Sequence, residues 1–195
     1  MTRIIAGRFG GRRLEVPKGD GTRPTTDRVR ESLFSSLESE LGGFDGLWVL
    51  DLFAGSGALG LEAISRGAAG GVFVDSDARA VSAIKKNVRE LGITTARVVK
   101  GSAGGFATRP HDGPIDLVLI DPPYAVTTDA VTSLVRRIAV DIAPGALFVV
   151  ERSTRDPFTW PDEVEAVRSR KYGETTLWYG RAGERAGGPL VESPA

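Results

Sequence analysis

Apolar residues along this chain switch between two periods, and the switches mark its elements. Near the start, the β-like runs Arg3-Ile4-Ile5-Ala6 and Arg13-Leu14-Glu15-Val16 flank a Gly10-Gly11 turn. That pattern predicts a small hairpin rather than a second core. After Pro24, the side chains of Thr25, Thr26 and Asp27 offer capping oxygens for a helix start. Val29, Leu33, Leu37 and Leu41 then recur at spacing four, one apolar helix stripe, and Gly42-Gly43 ends it. From there strand and helix alternate. Leu47–Leu50 is a first strand, and Ala58–Arg66 is a helix stopped by Gly67. Val72–Val74 is a second strand, followed by the helix stripe Val81, Ile84, Val88 and Leu91, which ends at Gly92. Ala96–Val99 and Ile115–Ile120 are strands three and four. Val131, Leu134, Val135 and Ile138 stripe the next helix, and Pro144-Gly145 turns into strand five, Ala146–Val150.

Strands alternating with helices of this length predict an α/β fold with a parallel sheet covered on both faces. The end of the chain differs. Val164–Arg168 and Thr175–Tyr179 flank Lys171-Tyr172-Gly173, an antiparallel hairpin appended to the sheet, which makes seven strands. Residues 181–195 lack periodicity and are expected to form a disordered tail. The expected layout is a basic extension over 1–24, one domain over 25–180, and that tail. No internal repeat is visible.

Composition narrows the chemistry. With 41% hydrophobic and 26% charged residues, the chain is in the globular range. No apolar run approaches the roughly 18 to 20 residues that span a bilayer. The first residues carry no signal-peptide core, so a soluble cytoplasmic protein is expected. There are no cysteines, which excludes disulfides, thiolate metal sites and a cysteine nucleophile. His111 is the one histidine, and it lies in a polar loop, so no metal site is expected. Net charge is zero but unevenly spread: residues 1–30 hold eight basic and three acidic groups. A basic arm on a mildly acidic body suits a polyanion, because neutralised phosphates release counterions. Arginine outnumbers lysine twenty to five, which a GC-rich genome would also produce.

The first strand runs into Asp51-Leu52-Phe53-Ala54-Gly55-Ser56-Gly57-Ala58-Leu59-Gly60. Gly55, Gly57 and Gly60 satisfy G-x-G-x-x-G between a strand and a helix, where the backbone can approach a nucleotide closely. Asp75 ends the second strand, twenty residues after Gly55, and can accept from both ribose hydroxyls of an adenosine. NAD and S-adenosylmethionine both use this edge. NAD needs a helix N-terminus facing a pyrophosphate. Asp51, read here at the strand tip, suits a positively charged ligand and favours S-adenosylmethionine.

Strand four ends in Asp121-Pro122-Pro123-Tyr124. Two prolines fix φ and remove backbone donors, leaving carbonyls free to accept. The lone pair of a nucleobase amine is delocalised into its ring. Acceptors on both N–H groups, the Asp121 carboxylate and the Pro122 carbonyl, would draw the nitrogen toward tetrahedral geometry for attack on a methyl sulfonium. Tyr124 can stack on an unstacked base. As an acceptor-only carboxylate, Asp121 needs no raised pKa for this.

Together these residues resemble the class I S-adenosylmethionine-dependent amino-methyltransferases, with their Rossmann-like fold. The opening narrows the likeness. Arg3-Ile4-Ile5-Ala6-Gly7, Arg23-Pro24-Thr25 and Arg28-Val29-Arg30-Glu31-Ser32-Leu33-Phe34 are similar to the RsmD family, over residues 3 to about 180. That family methylates the N2 amine of a guanine, guanine 966 in the RNA's numbering, in 16S ribosomal RNA of the small subunit. The resemblance implies that Phe53, Ala54, Gly55, Ser56 and Gly57, with Asp51 and Ser76, line the cofactor, and that Asp75 holds its ribose. Ser102 and Ala103 would meet the adenine, where many class I enzymes carry Asp. Thr25 and Arg28 would sit near the methionine end, and Arg28 could pair with its carboxylate. Arg3, Arg8, Arg12 and Arg13 would hold the RNA backbone. The partner implied is 16S ribosomal RNA, the small subunit or its assembly intermediate, met by a monomer.

Trp48, Phe73 and Phe148 lie inside strands and read as core, as does Trp178; Tyr172, in the last turn, could touch substrate. Three classes compete with a guanine-N2 methyltransferase. One is a methylase of another base amine, such as adenine N6. Another is an NAD-dependent oxidoreductase on the same glycine loop, which lacks an obvious hydride-chemistry residue. The third is a non-enzymatic RNA-binding protein, against which the intact Asp-Pro-Pro-Tyr argues.

Overall fold

The computed structural model describes residues 2–17, 27–107 and 114–183. The expectations for Thr25, for His111 and for most of the tail fall outside those residues. A short hairpin comes first, with β1 (Thr2–Arg3) antiparallel to β2 (Arg13–Leu14). Then follow α1 (Asp27–Leu41), β3 (Trp48–Leu52), α2 (Ala58–Ser65), β4 (Gly70–Asp75), α3 (Ala78–Glu90) and β5 (Ala96–Lys100). The chain continues with α4 (Ala103–Phe106), β6 (Leu117–Ile120), α5 (Thr128–Asp141), β7 (Leu147–Ser153), β8 (Val164–Tyr172) and β9 (Thr175–Ala182).

One seven-stranded sheet has the order β5-β4-β3-β6-β7-β9-β8. Five strands are parallel neighbours, and β9 runs antiparallel to both β7 and β8. This is the mostly parallel sheet with a final antiparallel hairpin that the residue pattern predicts. The hairpin joins by its second strand, with β8 on the outer edge. All four residues of β6 are buried, as a central strand covered on both faces requires. One core packs α1, α2 and α3 on the sheet through Leu33, Phe34, Leu37, Ile64 and Phe73. The other packs α4 and α5 on the opposite face through Val131, Leu134, Val135, Ile138 and Phe148. Phe73 and Phe148 are core as expected, whereas Trp48, Trp178 and Tyr172 are half-buried.

The N-terminal hairpin is tied down by two buried polar side chains. Glu62 of α2 accepts from the Ile5 N–H at 2.7 Å, the Ala6 N–H at 3.0 Å and Arg66 Nε at 2.8 Å. Asn87 of α3 accepts from the Glu15 N–H at 2.8 Å and donates to the Glu15 carbonyl at 3.0 Å. Gly7, at φ +78°, crosses α2 so closely that a Cβ would lie 1.9 Å from the Ser65 carbonyl oxygen.

The chain leaves β3 toward β4 on one side, while β6 lies on the other. Doubly wound sheets open a crevice at such a reversal, outside the carboxyl ends of the strands. Here those ends are the glycine loop and Asp-Pro-Pro-Tyr.

Candidate active site

The loop after β3 is built from left-handed residues. Phe53 has φ 58°, which costs a non-glycine residue roughly 1–2 kcal/mol, and Gly55 and Gly57 follow at φ 57° and 78°. A Cβ on Gly55 would meet nothing nearer than the Phe53 carbonyl oxygen at 4.0 Å, so the loop frames open space there. Gly60 has the opposite reason to be glycine: a Cβ would lie 2.5 Å from the Phe73 ring. The Asp75 carboxylate accepts the Gly55 N–H and the Asp77 N–H, both at 2.8 Å. Two backbone donors orient it at the sheet edge and leave lone pairs for two further donors, such as vicinal hydroxyls.

Asp51 is the fourth residue of β3 rather than a residue beyond its tip, and it is only 2% exposed. Its Oδ2 accepts the Gly60 N–H at 2.9 Å, so it fastens α2 to the sheet beneath the loop. Burial holds the Asp51 carboxyl well above its ordinary range, and the charges of Asp121 and Asp75 add to that. The Gly55 and Gly60 amides thus meet carboxylates of the protein itself.

On the other side of the crevice, burial pushes the Asp121 carboxyl up to about 6. The bare-acceptor role expected of Asp121 therefore comes with a raised pKa, because desolvation acts on it with no compensating donor among the described residues. Pro122 is buried, and Pro123 turns its carbonyl to the Val126 N–H at 2.9 Å. The Pro122 carbonyl is thus the acceptor left beside Asp121. Tyr124 is 66% exposed at the mouth. Arg152, buried near the end of β7, braces the following loop: it donates to the Val126 carbonyl at 2.9 Å and pairs with Asp156.

The family described as Conserved hypothetical protein 95 matches residues 2–181. The chain belongs to this family. Ribosomal RNA small subunit methyltransferase D of Escherichia coli (strain K12) is 45% identical over 122 residues, 63% of this chain and 60% of that protein. The chain thus spans less than two thirds of that relative's length. The Haemophilus influenzae protein of the same name is 35% identical over 88% of this chain and 89% of its own. A solved Escherichia coli protein with a provisional methyltransferase name superposes with TM-score 0.82 at 33% identity, covering 93% of this chain and 98% of that one. Magnesium protoporphyrin IX methyltransferase from Synechocystis shares the fold alone, at TM-score 0.63, 13% identity and 80% and 79% coverage. The fold is that of the class I methyltransferases.

Four adjacent strand ends bring most of the expected site residues together. Phe53 to Gly57 follow β3, Asp75 and Ser76 end β4, Ser102 and Ala103 follow β5, and Asp121 to Tyr124 follow β6. Ser102 caps α4 by accepting the Gly105 N–H at 3.1 Å, and Ala103 is buried. Arg28 is exposed in the first turn of α1 and lines a groove shared with β8. Arg3 pairs with Asp27 at 2.9 Å and Arg13 is exposed opposite it. The Arg8 backbone is fastened to Ser65, at the end of α2, and Arg12 donates to the Glu90 carbonyl at the end of α3. Those two positions are a helix length, roughly 12–20 Å, from the edge that carries Asp121. The sequence reading missed Asn87, whose Nδ2 also donates to the Ser56 carbonyl of the glycine loop at 2.9 Å. It also missed Glu62 and Arg152. Each is a polar residue in an otherwise regular element, with no local signal of the distant segment that buries it.

Proposed function

We propose that this chain transfers a methyl group from S-adenosylmethionine to the exocyclic N2 amine of a guanine in 16S ribosomal RNA. One observation carries the reading: a desolvated carboxylate, Asp121, stands beside a proline carbonyl that meets no donor among the described residues, across the sheet's switch point from an open glycine cradle. Bound S-adenosylmethionine would supply an electrophilic methyl on a sulfonium. The cradle after β3 leaves room for such a ligand, and Asp75 presents a carboxylate suited to its ribose hydroxyls. The Asp121 carboxylate and the Pro122 carbonyl accept the two N–H groups of the target amine, turning its lone pair out of conjugation. Low local dielectric strengthens both contacts, and their fixed positions leave little to reorganise as charge develops. Tyr124 supplies a stacking face for a base drawn out of its helix. The methylated amine is then a stronger acid and can release its proton to Asp121 or to water.

The names carried by the relatives support ribosomal RNA as the substrate class. Guanine N2 rests on the likeness of the segments around Arg3–Gly7 and Arg28–Phe34. A cytoplasmic monomer is part of the same proposal. The test is transfer of tritiated methyl from S-adenosylmethionine to naked 16S RNA and to small subunits from cells lacking this protein, followed by mass spectrometry of the modified nucleoside. N2-methylguanosine at one position is expected. Methyl on adenine N6 would overturn the base assignment, and no transfer to either substrate would overturn the function.

A further inference from the structure

Beside the crevice, α1 and β8 enclose an open groove of about 440 Å³ lined by Arg28, Ser32, Ser35, Ser39, Arg168 and Arg170. We infer that this groove is a track for the RNA backbone, holding the strand that flanks the target base. The inference rests on the methyltransferase reading for its substrate class, but on separate residues for its geometry.

The α1 serines at positions 32, 35, 36 and 39 recur at i, i+3, i+4 and i+7, so they share one helix face. Serine is a weak helix former in mid-helix. Ser32, Ser35 and Ser39 leave a low wall of hydroxyl donors, while Ser36 is buried against Arg168. The opposite wall is cationic. Arg168 is held in place, donating to Ser36 Oγ at 2.7 Å, pairing with Glu40 at 3.2 Å and lying 4.7 Å over the Tyr179 ring. Arg170 is exposed on the same strand face, two residues on, and has no ion pair among the described residues. With Arg28 at the helix start, Glu31 the one acid of the lining and Glu40 paired to Arg168, the groove keeps a net positive charge. Arginine and serine donors are the usual partners of phosphate oxygens, and they carry no base specificity.

The groove's direction favours a polyanion strand over a small anion. From Arg28 to Ser39 the α1 wall is roughly 17 Å long. Its upper end is at the catalytic edge. Ile120 pairs with Val150, Val150 with Trp178, and Trp178 with Ser169. Arg170 therefore stands level with Asp121, three strand spacings or about 14 Å across the sheet. About four stacked nucleotides cover that distance. The tip of the N-terminal hairpin, by contrast, lies at the opposite ends of α2 and α3.

The test is the double variant Arg170→Glu/Ser35→Glu, both at exposed positions, with Arg170→Lys as the charge-conserving control. Binding of 16S RNA transcript is measured across salt concentrations, and cofactor affinity by calorimetry. Expected for the double variant are at least tenfold weaker RNA binding at 100 mM salt and a log–log salt slope shallower by about one to two, with cofactor affinity unchanged. The lysine control should bind like wild type. Wild-type affinity and slope in the double variant would overturn the inference. So would a loss confined to assembled subunits with naked RNA binding intact, which would mark a protein contact. Weakened RNA binding in the double variant alongside a wild type that transfers no methyl would keep the track and remove the methyltransferase reading instead.

Discussion

Asp121→Asn should make the protein more stable while abolishing transfer, and the gain should depend on pH. The carboxyl is raised from 3.8 to about 6 by burial. A difference of that size corresponds to about 3 kcal/mol between the two protonation states. In the unfolded chain the group ionises freely, and in the folded chain its charge is disfavoured. The cost is therefore absent below about pH 4, grows as pH rises to about 6, and stays constant above. Asparagine has the same shape without the charge, but its amide needs partners of its own, which reduces the expected gain to about 1–3 kcal/mol. For a chain of 195 residues that is roughly 3–10 °C in Tm. Urea unfolding of both proteins at pH 4 and pH 7.5, without ligand, gives the comparison. The variant should be no more stable than wild type at pH 4 and should gain on it as pH rises, standing higher at pH 7.5. Wild-type transfer, which needs the ionised carboxylate, should fall about tenfold per pH unit below about 6. A variant no more stable at pH 7.5, or a rate flat between pH 7 and pH 5, would refute the account of Asp121 as a desolvated acceptor.

Two further substitutions probe the supports of the site. Glu62→Ala leaves the Ile5 and Ala6 N–H groups and Arg66 without their carboxylate, so it should cost about 3–5 kcal/mol and expose the hairpin to limited trypsin cleavage near Arg8; wild-type melting with an uncut hairpin would contradict this. Asn87→Ala removes the link between Glu15 and the Ser56 carbonyl, so it should cost about 2–3 kcal/mol and weaken S-adenosylmethionine binding at least fivefold in calorimetry; a loss of stability with unchanged affinity would mean the glycine loop holds itself.

Legibility in the sequence followed the distance over which each contact acts. Helix stripes and buried strands are local patterns, so every long element was visible; the strand order that sets the switch point was not. Nor were strand ends. Glu151–Ser153 and Ser169–Lys171 are polar, yet they pair with β9 and lengthen β7 and β8. α4 is four residues with two glycines, too short to show a stripe. Asp51 looked like a strand terminus because it is charged; its place inside β3 depends on the Gly60 N–H nine residues later. The glycine loop and Asp-Pro-Pro-Tyr are each contiguous, so both motifs were visible as runs of residues. The groove between α1 and β8 was not, because Ser36 and Arg168 meet across 132 residues of chain.

Three departures from local rules lie at the ends of the central strands. Phe53 holds a left-handed φ, Asp121 carries a raised pKa without a donor, and the buried Arg152 Nε has no hydrogen-bond partner among the described residues. All three follow or end the central strands β3, β6 and β7. Those strands are buried along most of their length and paired on both sides, so the sheet beneath can hold such conformations at modest cost to the whole. Asp51 and Asp121 show the division within that arrangement. Both are carboxyls raised by burial on neighbouring strands, but Asp51 meets an amide and fastens a helix, whereas Asp121 keeps its lone pairs unmet. The proposed transfer, in which the lone pair of an amine leaves conjugation, calls for acceptors without competing donors, and Asp121 meets none among the described residues.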